Sequence, residues 1–271
     1  MTTHTKAQLI HQAFLTNKIT PEVKQAVKES LKALDEGKAR ICEKRNGKWQ
    51  VNDWLKSAIL LYFKIAKMQK FQSGDFNFFD KIPLKKWKGN EGVRVVPQAL
   101  VRYASYVAKN TVLMPSYINI GAYVDEGSLI DTWATVGSCA QVGKNVHVSG
   151  GVGLGGVLEP IQAQPVIIED HVFLGSRSII VEGVQVCENA IIGAGVVLTS
   201  SARILDVTQK KVKEYRGKIP KNSVVIPGAR SKKFPAGDYQ VPCALIIGKR
   251  SEKTDKKISL NDCLRDFNVP V

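Results

Sequence analysis

A glycine run and a few titratable side chains carry most of the chemistry this sequence offers. Ser149-Gly150-Gly151-Val152-Gly153-Leu154-Gly155-Gly156 would let a ligand approach the backbone, and between a strand and a helix it would cradle a dinucleotide phosphate. His147 and His171 offer a proton acceptor or a metal ligand, but two histidines with no third near them in sequence are too few for a three-histidine zinc site. The five cysteines (Cys42, Cys139, Cys187, Cys243 and Cys263) are odd in number and include no Cys-x-x-Cys pair, which argues against a disulfide framework and against zinc. Reduced thiols and no metal are the expectation. Arg177 is the one basic residue between Lys144 and Arg203, a weak candidate for holding an anion.

The net charge of +15, from 39 Lys and Arg against 24 Asp and Glu, invites a nucleic-acid partner. Its distribution argues otherwise. Residues 1–111 carry +12, residues 112–204 carry −5 and residues 205–271 carry +8, so an acidic middle lies between two basic ends. No uncharged run is long enough to span a bilayer as a helix, and Lys6, His11, Lys18 and Lys24 interrupt the start where a signal peptide would need an apolar segment. A cytoplasmic protein with no membrane and no nucleic-acid partner is expected.

The elements that position these residues are set by a period of six. Val112, Ile118, Val124, Ile130, Val136, Val142, Val148 and Leu154 follow one another at that spacing, and the frame resumes at Ile168, Leu174, Ile180, Val186, Ile192, Leu198 and Ile204. Two more units follow at Ile219 and Val225. Neither a helix nor a meander has this period; a coil of short parallel strands, three sides to a turn, places each aliphatic residue inward and stacks every third unit on the first. Ile168 falls two positions beyond a whole number of repeats after Leu154, so a loop leaves the coil at 155–167. A charged excursion at 206–218 precedes the last units. The glycine run sits inside this frame with no strand-to-helix unit, so its glycines serve corners and close approach, not a dinucleotide.

Before residue 90 the period is helical. Thr20-Pro21 starts a helix running to about Asp35, Ala39 to Val51 forms a hairpin about Asn46-Gly47, and Asn52 or Asp53 starts a helix running to about Lys70. Tyr239 to Lys249 reads as a strand, and Ser259 with Asp262 as a capping box for a short helix ending near Phe267. The domains expected are a mainly helical unit at 1–95, the coil at 96–230 and a small strand and helix cap at 231–271.

Longer strings are more specific than the repeat. Thr111 to Gly127 (TVLMPSYINIGAYVDEG), Asp131 to His147 (DTWATVGSCAQVGKNVH) and Ser149 to Pro160 (SGGVGLGGVLEP) resemble the tetrahydrodipicolinate N-succinyltransferase family, as do Arg94-Val-Val-Pro97, Ile167-Ile-Glu-Asp170 and the C-terminal Ser-Leu-Asn-Asp-Cys-Leu-Arg-Asp, so nearly the whole chain is covered. The resemblance implies a mainly β fold, a left-handed parallel β-helix of hexapeptide repeats, and a homotrimer with active sites between subunits. It implies succinyl transfer from succinyl-CoA, a co-substrate, to the amine of 2-amino-6-oxopimelate in bacterial lysine and diaminopimelate biosynthesis, with no permanently bound cofactor. Arg94 matches an arginine that binds substrate carboxylate, and Asp131 matches the substrate-binding aspartate, here read also as the catalytic residue that orients the amine and takes its proton late. Asp131 follows the inward Ile130, and Ser149 stands one full turn of the coil beyond it, so the Asp131 carboxylate is expected to point out of the coil beside the glycine run. Two departures from the family, Ile179 for an acidic residue and Ala194 for Met, bear on the acyl-CoA site. The competing readings are an acetyl-CoA-dependent enzyme on the same fold and a basic nucleic-acid-binding protein.

Overall fold

The computed structural model describes residues 2–158 and 164–250. Three helices begin the chain: α1 (Thr3–Thr16), α2 (Pro21–Asp35) and α3 (Asp53–Ile65). The Thr20 hydroxyl accepts the Val23 N–H at 3.3 Å ahead of Pro21, which starts α2 where expected. Gly37 ends that turn at φ +70°, and a side chain there would fall 2.7 Å from the Tyr106 ring. The hairpin Cys42–Arg45 and Lys48–Val51 turns at Asn46 and Gly47, both at positive φ, as the Asn-Gly pair dictates. α3 stops at Ile65 and does not reach Lys70. From Gln69 the chain is extended, because Phe71 and Phe78 pair across a second hairpin, Gln69–Ser73 with Phe76–Asp80, their rings stacked at 5.3 Å.

From Arg94 the chain winds through three parallel sheets. The first carries Arg94–Val95, Val112–Leu113, Leu129–Ile130, His147–Val148, Phe173–Leu174, Ile191–Ile192 and the strand Ser223–Phe234. The second runs from Leu100–Val101 to Val197–Leu198, and the third from Tyr106–Val107 to Lys218–Ile219. Thr135 pairs with Gly153 and Tyr123 with Gln141, three repeat units on in each case, as a three-sided coil requires. The inward residue of nearly every strand is fully buried, from Ile118, Val124 and Ile130 through Leu198. A fully buried aliphatic side chain contributes about 1.5–3 kcal/mol, whereas ordering each residue's backbone costs about 1–2 kcal/mol. With only one such side chain on each of its three sides, a single turn cannot stand alone, so stability comes from stacking.

Two details at the start of the coil differ from the expected frame, whereas the excursion after Leu154 falls where it is expected. The coil begins at Arg94, a full turn before Val112. In the unit that follows, Leu113 points inward and Val112 is only half-buried, because the corner through Pro115 is one position short and Leu113 pairs with Ile130. The excursion after Leu154 lengthens one step of the ladder, since Gly153 pairs with Ile179. Farther on, Ile204–Asp206 turns back on Lys213–Tyr215, and the last repeat unit, at Val225, runs on into a hairpin of Ser223–Phe234 with Gly237–Lys249. The strand expected from Tyr239 thus begins at Gly237; the helix expected about Ser259 lies outside the described residues.

The helices pack on the coil through Ile10, Val27, Leu31, Leu55 and Ile59 against Ile120 and Cys139. Two polar joints fix this contact. Lys85 Nζ lies 3.0 Å from Asp35, whose other oxygen accepts the Ala104 N–H at 3.0 Å. Glu169, 8% exposed, accepts from Trp49 Nε1 (2.7 Å), Lys44 Nζ (3.2 Å), Gln185 Nε2 (3.0 Å) and the Glu188 N–H (3.0 Å). Burial alone would raise the Glu169 pKa, but the bonds from Trp49, the Glu188 backbone and Lys44 outweigh it and hold the carboxyl below its ordinary range. Among the described residues, no helix is long and apolar enough to cross a membrane.

Candidate active site

The corner leaving the first sheet brings Asp131, the glycine run and Arg177 onto one edge. After Ile130 the Asp131 N–H donates to the Val148 carbonyl at 2.9 Å, and the side chain turns outward from the coil, half-buried. One carboxylate oxygen, Oδ1, accepts the Thr132 N–H at 2.7 Å and lies 3.2 Å from the Thr132 hydroxyl. Asn119 and Asp125 hold the same bond to the next residue's N–H, at 2.8 Å each, so this contact is a turn device of the coil. What distinguishes Asp131 is its second oxygen, which makes no hydrogen bond to a described residue, and its surroundings.

Successive turns stack on that corner through a ladder of backbone bonds. Trp133 N–H donates to the Pro115 carbonyl (2.6 Å), Gly151 N–H to Thr132 (2.9 Å), Arg177 N–H to Gly150 (3.0 Å) and Gly195 N–H to Ser176 (3.1 Å). Asp131, Ser149-Gly150-Gly151 and Gly175-Ser176-Arg177 therefore occupy consecutive rungs of one edge, and the middle rung is nearly without side chains. Trp133 is 69% exposed and forms one wall of a cleft of about 710 Å³, whose other walls include Phe76, Phe78, Trp87, Val95 and Ala99. Nothing in the repeat singles out Trp133, because corner residues can equally be covered, as Ala104 and Cys139 are.

Arg94 lies on the same sheet, paired with Val112, two rungs before Leu129. At about 4.8 Å per rung it stands about 10 Å along the axis from Asp131, and it is exposed. Within one chain the two do not touch. His147 pairs with Leu129 and packs its ring on Phe173 at 5.0 Å, and His171 occupies a corner at φ +60°, its carbonyl accepting from Arg250 at 3.1 Å. Ile179 points outward from the second sheet, between Gly153 and Val197 on the adjoining rungs, and is 42% exposed. Ala194 lies under Gly175, where an added Cβ would come 2.5 Å from the Ala194 nitrogen.

A rung without side chains beside a carboxylate suits a thin chain laid along the coil, with an amine held at its reactive end. Two family models match the chain: the tetrahydrodipicolinate N-succinyltransferase N-terminal region at residues 7–65 and the hexapeptide repeat of succinyl-transferase at 165–200. A 2,3,4,5-tetrahydropyridine-2,6-dicarboxylate N-succinyltransferase of Acinetobacter baylyi is 52% identical over 250 residues, covering 90% of each chain. The like-named enzyme of Legionella pneumophila is 51% identical over 271 residues, covering 95% of this chain and 96% of its own. A Campylobacter jejuni structure solved as a candidate N-succinyltransferase shows a remote likeness, with a TM-score of 0.36 at 15% identity, covering 82% of this chain and 62% of that one.

Proposed function

The chain belongs to the tetrahydrodipicolinate N-succinyltransferase family, and from that premise we propose how the Asp131 corner carries out the family's reaction. The protein is an acyltransferase of lysine and diaminopimelate biosynthesis that transfers a succinyl group to the amine of opened tetrahydrodipicolinate. The donor is succinyl-CoA, a co-substrate released as CoA. Water opens the cyclic acceptor to 2-amino-6-oxopimelate, whose amine attacks the thioester carbonyl. The new C–N bond gives a tetrahedral oxyanion, the C–S bond then breaks, and CoA leaves as its thiol. The amine loses one proton in this sequence. The free oxygen of Asp131 orients the amine and takes that proton late, because a carboxylate is a poor base toward an amine until the C–N bond has formed and acidified the nitrogen. Arg94 pairs with a carboxylate of the acceptor, a task for a planar two-pronged donor.

The observation that carries this reading is the juxtaposition of one unengaged carboxylate oxygen with a glycine rung on the outside of the coil. The coil is left-handed, and the enzyme is a cytoplasmic homotrimer with active sites between subunits. The outward ladder of Val112, Leu129, His147 and Phe173, half-buried in one chain, supports a face that a neighbour covers. The roughly 10 Å between Arg94 and Asp131 is consistent with a site completed by a neighbour. Thiol release measured with succinyl-CoA and with acetyl-CoA, tetrahydrodipicolinate being the acceptor, tests the donor. Succinyl-CoA should be strongly preferred; equal or reversed rates would refute the assignment.

A further inference from the structure

Resting on that reading of the Asp131 corner, we propose that Arg177 is a further substrate-holding residue, its guanidinium receiving a carboxylate of the acyl donor or the acceptor one rung from Asp131. Four rungs of this corner place a residue in the left-handed region: Trp133 (φ +61°), Gly151 (+70°), Arg177 (+58°) and Gly195 (+71°). Glycine takes that conformation freely, whereas it costs other residues about 1–3 kcal/mol. At the corner that enters the first sheet the same demand is met mostly by tolerant residues, Asn110, Gly127, Asn145 and Asn189. The turn therefore does not itself ask for an arginine at 177, and what the side chain does is read from where it lies.

Its placement indicates which. The Arg177 side chain folds back across Gly151: a Cβ added to Gly151 would lie 3.2 Å from Arg177 Cγ, 3.5 Å from Nη1 and 3.8 Å from Cζ. The missing side chain at 151 thus makes room for the guanidinium, which reaches toward the rung of Asp131. The residue is exposed, and it forms no ion pair with a described carboxylate, whereas Arg40, Arg45, Arg102, Arg203 and Arg216 all do. An exposed planar cation with an open fork, next to a shelf nearly without side chains, matches a carboxylate. Both substrates bring one: the free end of the succinyl group and the two carboxylates of the acceptor.

Steady-state kinetics and thermal melting of the full chain test this, using Arg177→Gln, Arg177→Gly and, for reference, Asp131→Asn. Losing a charged hydrogen bond should raise one KM by roughly 10- to 100-fold, with a smaller change in kcat. A rise for succinyl-CoA with inhibition by free CoA unchanged assigns the succinyl carboxylate; a rise for tetrahydrodipicolinate assigns the acceptor. Arg177→Gly should melt at or above the parent temperature, because glycine relieves the strained turn. Both KM values within about twofold of the parent, or a melting temperature lowered by several degrees in the glycine variant, would overturn the proposal in favour of a structural arginine. An active Asp131→Asn enzyme would instead unseat the reading of the corner, whatever Arg177 does.

Discussion

Replacing Asp131 by Asn separates chemistry from architecture unusually well in this fold. The turn after Ile130 needs only an oxygen to accept the Thr132 N–H, 2.7 Å away, and the amide of Asn supplies one. The chain already uses Asn in this way at Asn119, whose Oδ1 accepts the Ile120 N–H at 2.8 Å. The fold should lose almost nothing, while the variant loses the charge that orients the amine and the group that takes its proton. A positioned proton acceptor contributes typically 10²- to 10⁴-fold, or about 2.7–5.4 kcal/mol of transition-state stabilisation at about 1.36 kcal/mol per decade. Asp125→Asn is the control for the turn bond, since Asp125 accepts the Glu126 N–H at 2.8 Å on another corner, although its second oxygen also faces Arg40 at 3.9 Å. Thiol release from succinyl-CoA should fall by at least about a hundredfold in Asp131→Asn, with its melting temperature unchanged, and stay near the parent rate in Asp125→Asn. If Asp131→Asn keeps more than about a tenth of the activity, or the two variants fall together, the proton-accepting role is wrong.

Two other outcomes follow from buried groups. Glu169 has its folded pKa depressed, so its stabilisation is complete above the unfolded value near 4.5 and is lost as pH falls through the folded value. Melting of the parent and of Glu169→Gln should accordingly differ near neutral pH, by about 1–3 kcal/mol, and converge in acid; a gap that persists at low pH would contradict the charged network. Burial pushes the Cys139 thiol up to about 12 and those of Cys42 and Cys187 to about 11, and all four described cysteines are buried. A thiol reagent at pH 8 should leave these four unlabelled in the native protein and label them once it unfolds, as peptide mass spectrometry would show.

The coil is legible in the sequence because its inward positions obey a single period that neither helices nor ordinary sheets imitate. Its start is not, since Val95, Val101 and Val107 keep the spacing but lie one position out of phase with a count of six run back from Ile118, which lands on Tyr106, Leu100 and Arg94. A count of six misplaces the unit at Val112 by one position because Pro115 shortens a corner, a steric matter the count does not contain. The hairpin at 69–80 is hidden because the sequence carries no stop signal at Ile65 and the helix is extended to Lys70; cross-strand packing of Phe71 on Phe78 decides it. For the site, Asp131 and its outward direction are readable, and so is its closeness to the glycine run. The arrival of Arg177 on the same edge is not, because it depends on how much of the chain the excursion at 155–167 removes from the count. Trp133 escapes notice for a related reason: only the finished corner shows that it must face solvent.

That excursion also bears on how such an enzyme can change. The step from Gly153 to Ile179 is longer than the steps on either side of it, yet the rungs above and below remain in register. Closing a longer loop costs only the logarithm of its length; somewhat more than doubling one unit adds about 0.8 kcal/mol. The ladder therefore behaves like a spine on which a segment at one corner can be lengthened, trimmed or exchanged without disturbing what lies above or below it. A chain of this kind can gain or lose a bulge at one corner while the stacked core carries on unaltered.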